Sequence, residues 1–166
     1  MAELRPSLND QKDKIWDIPT VTKVKAFLWR ASSEALPVVD LLKIRGMKGD
    51  SRCQICGEEG ESINHVLFTC TVARQIWALS RFPSPMGGFD AFSVYSNLSY
   101  LFNMGKSRIL PQQIKRLFPW ILWRIWKNRN FFPFEARAFH PLETQQKIED
   151  DAKKLSMAQI VDNERE

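Results

Sequence analysis

Three cysteines and one histidine stand close together in the chain at a spacing that suits metal binding. Cys53, Cys56, His65 and Cys70 follow the pattern C-x2-C-x8-H-x4-C, and these are all the cysteines in the 166 residues. Three thiolates and one imidazole make a complete tetrahedral ligand set for zinc, with no position left open for water. The spacing therefore predicts a closed, structural zinc site formed by these four side chains.

Other interpretations of the motif are weaker. An odd number of cysteines cannot all pair within one chain, so a disulfide framework is disfavoured and a reducing, intracellular compartment is expected, either nucleus or cytoplasm. A catalytic zinc site of the deaminase type needs a glutamate in an H-x-E sequence, whereas His65 is followed by Val66 and Leu67. The alternative that remains is a set of buried cysteines and a core histidine brought together by chance.

The short segment that carries the histidine poses a geometric problem. Ser62 or Asn64 is placed to cap a short helix that presents His65. His65 and Cys70 are five residues apart, which is about 500° of rotation along an α-helix, so both cannot face one metal from a continuous helix. We therefore expect that helix to end just before Cys70.

Amphipathic helices are predicted on both sides of the motif. Apolar residues recur at helical spacing over residues 23–35 and 38–45. Beyond the motif, helical patterns cover residues 90–102 and a long segment from Pro111, in which Pro119 should cause a kink. These patterns predict a mainly α fold: a small helical domain with a Cys3His zinc knuckle, followed by a second helical segment.

Shifts in composition divide the chain into five parts. The segment at 81–88 is dense in proline and glycine, and the residues from Pro141 onward carry four basic and seven acidic side chains. The predicted order is a flexible lead at 1–14, a zinc-binding helical domain at 15–80, a linker at 81–89, a helical segment with a tryptophan-rich helix at 90–135, and an acidic C-terminal helix or tail at 136–166.

The basic charge of the chain is concentrated before Pro141. The formal net charge is +5 overall, and the residues before Pro141 carry twenty basic and twelve acidic side chains, a net of +8. A basic body indicates a polyanionic partner such as RNA or DNA, although solvated basic faces are also common on ordinary domains. The basic residues nearest the zinc motif are the candidate nucleic-acid contacts: Arg45, Lys48, Arg52 and Arg74.

A row of tryptophans allows two interpretations of the last long apolar helix. Trp120, Trp123 and Trp126 follow one another at three-residue spacing beside several basic residues. They could form a stacking surface for bases, or a docking surface for a protein partner or a second copy of the chain. The more ordinary interpretation, which the apolar stripe of this helix favours, is a tryptophan-rich core helix with a solvated basic edge.

Several classes of function find no support in the sequence. No uninterrupted apolar run approaches the length of about eighteen residues that a membrane span needs, and the N-terminus lacks the apolar core of a signal peptide. There is no glycine-rich phosphate loop, no Ser-His-Asp arrangement and no carboxylate cluster on strands of the kind that two-metal phosphodiester hydrolysis needs, so neither an enzyme nor a small-molecule substrate is expected. The second histidine, His140, is expected on the surface or in a loop.

A longer pattern surrounds the four candidate ligands. Its positions are Trp16, Lys23–Arg30, Ala35–Pro37, Asp40, Arg45–Gly46, Cys53, Cys56, Glu61, His65, Phe68, Cys70 and Ala73–Trp77. Through these positions, residues 15–77 resemble the reverse-transcriptase zinc-binding domain of plant non-LTR retrotransposon-derived proteins. Residues 118–130 resemble the segment that follows this domain, before a ribonuclease H-like domain.

The resemblance implies a module that binds nucleic acid through its zinc knuckle. Since the chain shows neither a polymerase before this stretch nor a ribonuclease H domain after it, we expect a stranded or repurposed module with no catalytic activity of its own. The first hypothesis is therefore a non-catalytic, zinc-stabilised nucleic-acid-binding module of retrotransposon origin. The alternative is a protein-interaction or dimerisation module in which zinc is purely structural and the tryptophan-rich helix docks a partner. A remnant without a selected function is a third hypothesis.

Overall fold

Helices make up most of the molecule. The structure, a computed structural model, describes residues 8–135 and 140–164. Within these ranges the β-structure consists of one isolated antiparallel bridge between Arg52 and Glu59. The predicted mainly α fold with a Cys3His knuckle is confirmed. The helices are α1 (Leu8–Trp16), α2 (Thr22–Ser32), α3 (Val39–Ile44), α4 (Thr71–Leu79), α5 (Val94–Gly105), α6 (Gln112–Lys115), α7 (Leu117–Glu135) and α8 (Pro141–Asn163), with a π-helical turn at His65–Thr69 between α3 and α4.

Helix α7 lies at the centre of the helical packing. It contacts α2, α4, α8 and the π turn. Its buried side chains recur at the helical period on one stripe, so the apolar face points into the core; they include Leu117, Ile121 and Ile125. Buried residues from Ile15 in α1 to Ala152 in α8 form one continuous cluster. The two predicted helical segments therefore share a single core.

The proline- and glycine-rich segment 81–89 is packed against this core. It contains no helix or strand, but Phe82 is buried. The ring centroid of Phe89 lies 4.9 Å from those of Phe68 and Trp77. Large aromatic contacts of this kind stabilise a core beyond the area they bury. The path of the chain from α4 to α5 is therefore fixed by packing.

The first helix occupies part of the predicted flexible lead. Residues 8–14 belong to α1, and residues 1–7 lie outside the described part of the chain. The buried side-chain amide of Gln11 donates to the hydroxyl of Ser99 at 2.6 Å and to the carbonyl of Tyr95 at 3.2 Å. Ile15 at the end of the helix is fully buried. The prediction was wrong here because these tertiary contacts with α5 have no signature in a polar sequence.

The predicted long helix from Pro111 is divided into two. Helix α6 ends at Lys115, and α7 begins at Leu117 after one turn residue. Pro119 then falls in the first turn of α7, where backbone N–H groups have no partner within the helix, so its missing donor costs nothing. The expected kink is thus replaced by a break that precedes the proline.

Helix α8 begins where the acidic part of the chain begins. The exposed His140 is its N-cap, and Nδ1 of this histidine accepts from the backbone N–H of Leu142 at 3.3 Å. The surface position expected for His140 agrees with this. None of the helices in the described ranges has the length and apolar character needed to traverse a bilayer.

Candidate metal site

The first two candidate ligands lie on a tight turn closed by backbone hydrogen bonds. The N–H of Cys53 donates to the carbonyl of Glu58 at 2.8 Å, and the N–H of Gly57 donates to the carbonyl of Cys53 at 2.9 Å. Gly57 has φ = +76°, a conformation that glycine adopts without steric cost. The turn, residues 51–60, is therefore held with both cysteine side chains on one side of the loop.

The other two ligands come from the π turn. The hydroxyl of Ser62 accepts from the N–H of His65 at 3.0 Å, so Ser62 caps this segment; Asn64 is buried and bonds to Asn97 instead. The N–H of Cys70 donates to the carbonyl of His65 at 2.7 Å, a five-residue span. A π turn winds more slowly than an α-helix, and the chain turns extended at Cys70 (φ −56°, ψ 142°). Both features bring the two ligands to one side.

The four ligand atoms converge closely enough to hold one ion. Every ligand atom lies within 4.8 Å of the others, and Sγ of Cys56 is 3.3 Å from Nε2 of His65. A tetrahedral zinc with Zn–S of about 2.3 Å and Zn–N of about 2.0 Å separates its ligand atoms by about 3.5–3.8 Å. Cys53 and Cys70 are buried. The donor set and its spacing therefore fit a zinc-type metal site.

The histidine ring has a partner on its far side. Oγ1 of Thr69 lies 3.3 Å from Nδ1 of His65, while Nε2 faces the cysteines. A metal on Nε2 requires the proton on Nδ1, and that N–H can then donate to the threonine hydroxyl. Thr69 is thus in position to accept the Nδ1–H that remains on the ring when Nε2 binds a metal.

Packing the sulfurs together perturbs their protonation. The Cys70 thiol donates a hydrogen bond to the Cys53 sulfur, which lowers the pKa of Cys53 to about 3 and raises the pKa of Cys70 well above its usual range. Hydrogen bonding with the same Cys53 sulfur raises the pKa of His65 above its ordinary value. Zinc needs deprotonated thiolates and a neutral imidazole, so its binding releases protons from this cluster.

The sequence did not predict a structural role for Glu61, whose carboxylate is buried beside the turn. Glu61 is fully buried, and its Oε1 accepts from the backbone N–H of Val39 at 3.0 Å. The Arg129 guanidinium donates to the same oxygen from Nη2 at 2.6 Å and from Nε at 3.2 Å. The backbone of Glu61 also exchanges hydrogen bonds with Asp40. Glu61 therefore joins the zinc turn to the start of α3 and to α7.

The structure brings two of the four predicted nucleic-acid contacts together. Lys48 and Arg52 line a groove of about 420 Å³ beside Cys53, and Lys43 of α3 lines it too. We call this the zinc-side groove. Arg52 is paired with Asp50 at 2.9 Å, and this hydrogen-bonded contact lowers the pKa of Asp50 to about 2.

The other two predicted contacts lie elsewhere. Arg45 is exposed just after α3 but is not part of the groove wall. Arg74 is exposed on α4 and lines a different cavity, of about 420 Å³, with Phe68 and Trp77. A single ligand in the zinc-side groove is therefore in position to meet Lys48 and Arg52.

The tryptophan row belongs mostly to the core. Trp120 and Trp126 are 6% and 7% exposed, whereas Trp123 is half-buried. The Trp126 ring stacks on Phe27 at 6.2 Å. Neither Trp120 nor Trp126 presents an indole face to a partner in this structure, because the apolar stripe of α7 is wide enough to take both indoles inside.

Comparison with known proteins places the metal site in a family. A family model described as zinc-binding in reverse transcriptase matches residues 2–77. Residues 2–77 are therefore similar to a reverse-transcriptase zinc-binding domain. This zinc-binding domain spans α1 to α4 and includes all four candidate ligands, which confirms the resemblance found in the sequence.

The chain also has a curated relative. A protein of Arabidopsis thaliana named "Putative ribonuclease H protein" is 26% identical over 127 residues, covering 75% of this chain and 20% of that protein. The chain thus spans about one fifth of the length of the relative it matches. Both matches support a retrotransposon-derived zinc-binding domain. No solved structure matches the chain significantly.

Proposed function

We propose that the chain is a non-catalytic, zinc-stabilised module that binds nucleic acid through the zinc-side groove. The observation that carries the proposal is the charge of the groove wall, where Lys43, Lys48 and Arg52 face one carboxylate, Asp50. Neither lysine forms an ion pair with another residue of the described ranges. Unpaired cations around a groove attract phosphates and release the counterions of the nucleic acid.

The metal supports the proposal by making the groove rigid. One wall of the groove is α3 and the other is the turn that carries Cys53. The metal ligands fix the turn, and Glu61 ties the turn to the first N–H of α3. A preformed groove loses little conformational entropy when a ligand binds. The exposed Met47 adds an apolar surface on which a sugar or base can lie.

The closed donor set supports the absence of catalysis. Four protein ligands fill a tetrahedral coordination sphere, and a catalytic zinc keeps one position for water or substrate. All three cysteines act as thiolates in this arrangement, so the module would work in a reducing compartment. Docking of a protein partner through the tryptophan row gains no support from the burial of Trp120 and Trp126.

Salt-dependent binding tests the proposal. Zinc-loaded protein is titrated into labelled single-stranded RNA and DNA at several salt concentrations, and binding is followed by fluorescence anisotropy. For single strands, each lost phosphate contact makes the negative slope of log K against log salt shallower by about 0.7, so Lys43→Gln with Lys48→Gln should reduce its magnitude by about 1.4.

The control carries the same change of charge outside the groove. Lys153 and Lys154 are exposed on α8, and Lys153→Gln with Lys154→Gln should leave the slope nearly unchanged. Failure of the wild-type protein to bind any RNA or DNA at low salt would refute the proposal. An equal effect of the two double variants would place the binding outside the groove.

A further inference from the structure

A second basic surface surrounds the one tryptophan of the row that stays accessible. Nζ of Lys23 and Nζ of Lys127 each lie 5.8 Å from the ring centroid of Trp123. Lys127 also lies 5.5 Å from the ring centroid of Phe131, which is 44% exposed. We call these four residues and Lys147 of α8 the Trp123 patch. Its members come from α2, α7 and α8, so the patch exists only in the folded molecule.

The patch concentrates positive charge that the protein itself does not neutralise. Burial, together with the charges of Arg124, Lys23 and Lys147, lowers the pKa of Lys127. Arg124 is already paired with Asp151 at 2.6 Å, and Asp151 is the acidic group that acts on Lys127. The three lysines of the patch form no ion pair within the part of the chain that the structure describes. Like charges held together in this way destabilise the free protein and are relieved by an anion.

The aromatic part of the patch is held in place. The Phe27 ring meets the Trp123 ring edge-on at 5.5 Å with an interplanar angle of 66°. Phe27 thus holds the Trp123 indole in place, while the two lysines near its ring are long and flexible. A cation–π contact at a partly exposed site is weak, so these lysines can leave the ring for phosphates and uncover it.

We propose that the Trp123 patch binds single-stranded nucleic acid, with phosphates on the three lysines and a base stacked on Trp123 or Phe131. Alternating aromatic and cationic groups suit a single strand because its bases are free to stack, whereas a duplex keeps its bases inside. The proposal rests on the proposed nucleic-acid function and adds to it a site separate from the zinc-side groove. It also adds a preference for single strands over duplexes, which the groove by itself does not confer.

Paired charge variants test the site. Lys23→Gln with Lys127→Gln is compared with the α8 control, Lys153→Gln with Lys154→Gln, on a labelled single strand and on a duplex of the same length. The patch variant should reduce the magnitude of the single-strand salt slope by about 1.4, and it should reduce the preference for single strand over duplex. The control should change neither quantity.

Aromatic variants test the stacking. Trp123→Leu should weaken single-strand binding about 5- to 140-fold if one stacked base is lost, whereas Trp123→Phe should retain most of the affinity. Thermal unfolding of each variant shows whether the fold is intact. If Trp123→Leu fails to fold, Phe131→Leu, at an exposed position of the same patch, is measured in its place with Lys23→Gln and Lys127→Gln.

The outcomes separate the two proposals. Binding that is lost in the Lys43→Gln and Lys48→Gln protein but unchanged in every patch variant would overturn the Trp123 site and leave the zinc-side groove standing. Binding that depends on the patch alone would support the Trp123 site and move the function away from the groove. No binding of wild-type protein to either nucleic acid would overturn both.

Discussion

The carboxylate of Glu61 connects three parts of the molecule through one oxygen. Oε1 accepts from the start of α3 and from Arg129 of α7, while its own backbone belongs to the loop between Cys56 and His65. Glu61 is fully buried, and the Arg129 side chain is 12% exposed. A buried ion pair adds little compared with apolar packing, but removing one partner leaves an uncompensated buried charge.

Breaking this pair from the arginine side should be costly. Arg129→Met leaves the Glu61 carboxylate buried without its cation and should lower the free energy of unfolding by about 3–5 kcal/mol. Urea unfolding of Arg129→Met, Glu61→Gln and the double variant forms a double-mutant cycle, in which the double variant should lose less than the sum of the single losses. Strictly additive losses would show that the two side chains do not interact.

An exposed ion pair supplies the comparison. Arg52 and Asp50 lie 2.9 Å apart with side chains that are about 60% exposed. Solvent screens such pairs and side-chain ordering offsets the attraction. Arg52→Met should therefore leave the unfolding curve unchanged, and a loss as large as that of Arg129→Met would contradict the distinction between the two pairs.

At the scale of elements, the zinc turn depends on its metal ligands more than the helices do. Most side chains of residues 43–60 are exposed, whereas Val66, Leu67 and Phe68 of the π turn are buried in the common core. The turn therefore has few apolar contacts with which to offset the entropy of ordering its backbone. The helices have their own buried faces.

Removal of the metal should unfold the turn without unfolding the helical core. A chelator should abolish hydrogen-exchange protection of the Cys53 and Gly57 amides, which bond within the turn, while amides of α7 stay protected. Cys56→Ser should give the same pattern and lower zinc occupancy in native mass spectrometry. Full zinc occupancy in Cys56→Ser protein would refute the ligand assignment, and loss of protection along α7 would contradict the local unfolding.

The sequence predicted the candidate ligands and most helices, but not the turn, hydrogen bonds and packing contacts that join them. The spacing of the cysteines and His65 required a break before Cys70, and it could not show that a π turn would help to supply it. Asp40 and Glu61 lie far apart along the chain, so their exchange of hydrogen bonds has no local signature. The apolar stripe favoured a tryptophan-rich core helix, but the contacts of Trp123 and Trp126 with Phe27 depend on how α2 packs against α7, which a single-helix pattern does not specify.

At the scale of the whole molecule, the acidic end of the chain is part of the core. Ile148 of α8 is fully buried, and α8 contacts both α4 and α7. Arg81 pairs with Glu149 at 2.8 Å, and Arg124 pairs with Asp151 at 2.6 Å. The acidic helix therefore neutralises part of the basic body.

Loss of one buried side chain of α8 should affect the entire fold. Ile148→Ala should lower the free energy of unfolding by about 2–5 kcal/mol, since it removes buried methyl groups and leaves a cavity. Leu142→Ala, at a position that is 59% exposed, should cost far less.

Zinc-loaded protein should unfold in one transition by far-UV and near-UV circular dichroism, because the helices share one core. Two separate transitions would contradict the single core.

The course of α7 affects the binding of nucleic-acid strands of different length. This one helix carries Arg129, which binds Glu61 beside the zinc turn, and also Trp123 and Lys127, so α7 connects the groove to the patch. A strand long enough to reach both surfaces would bind the second one at a high effective concentration, whereas a short strand would occupy one surface at a time. Affinity should therefore rise in a step at a threshold oligonucleotide length, and the length at which it rises would measure the path between the two surfaces.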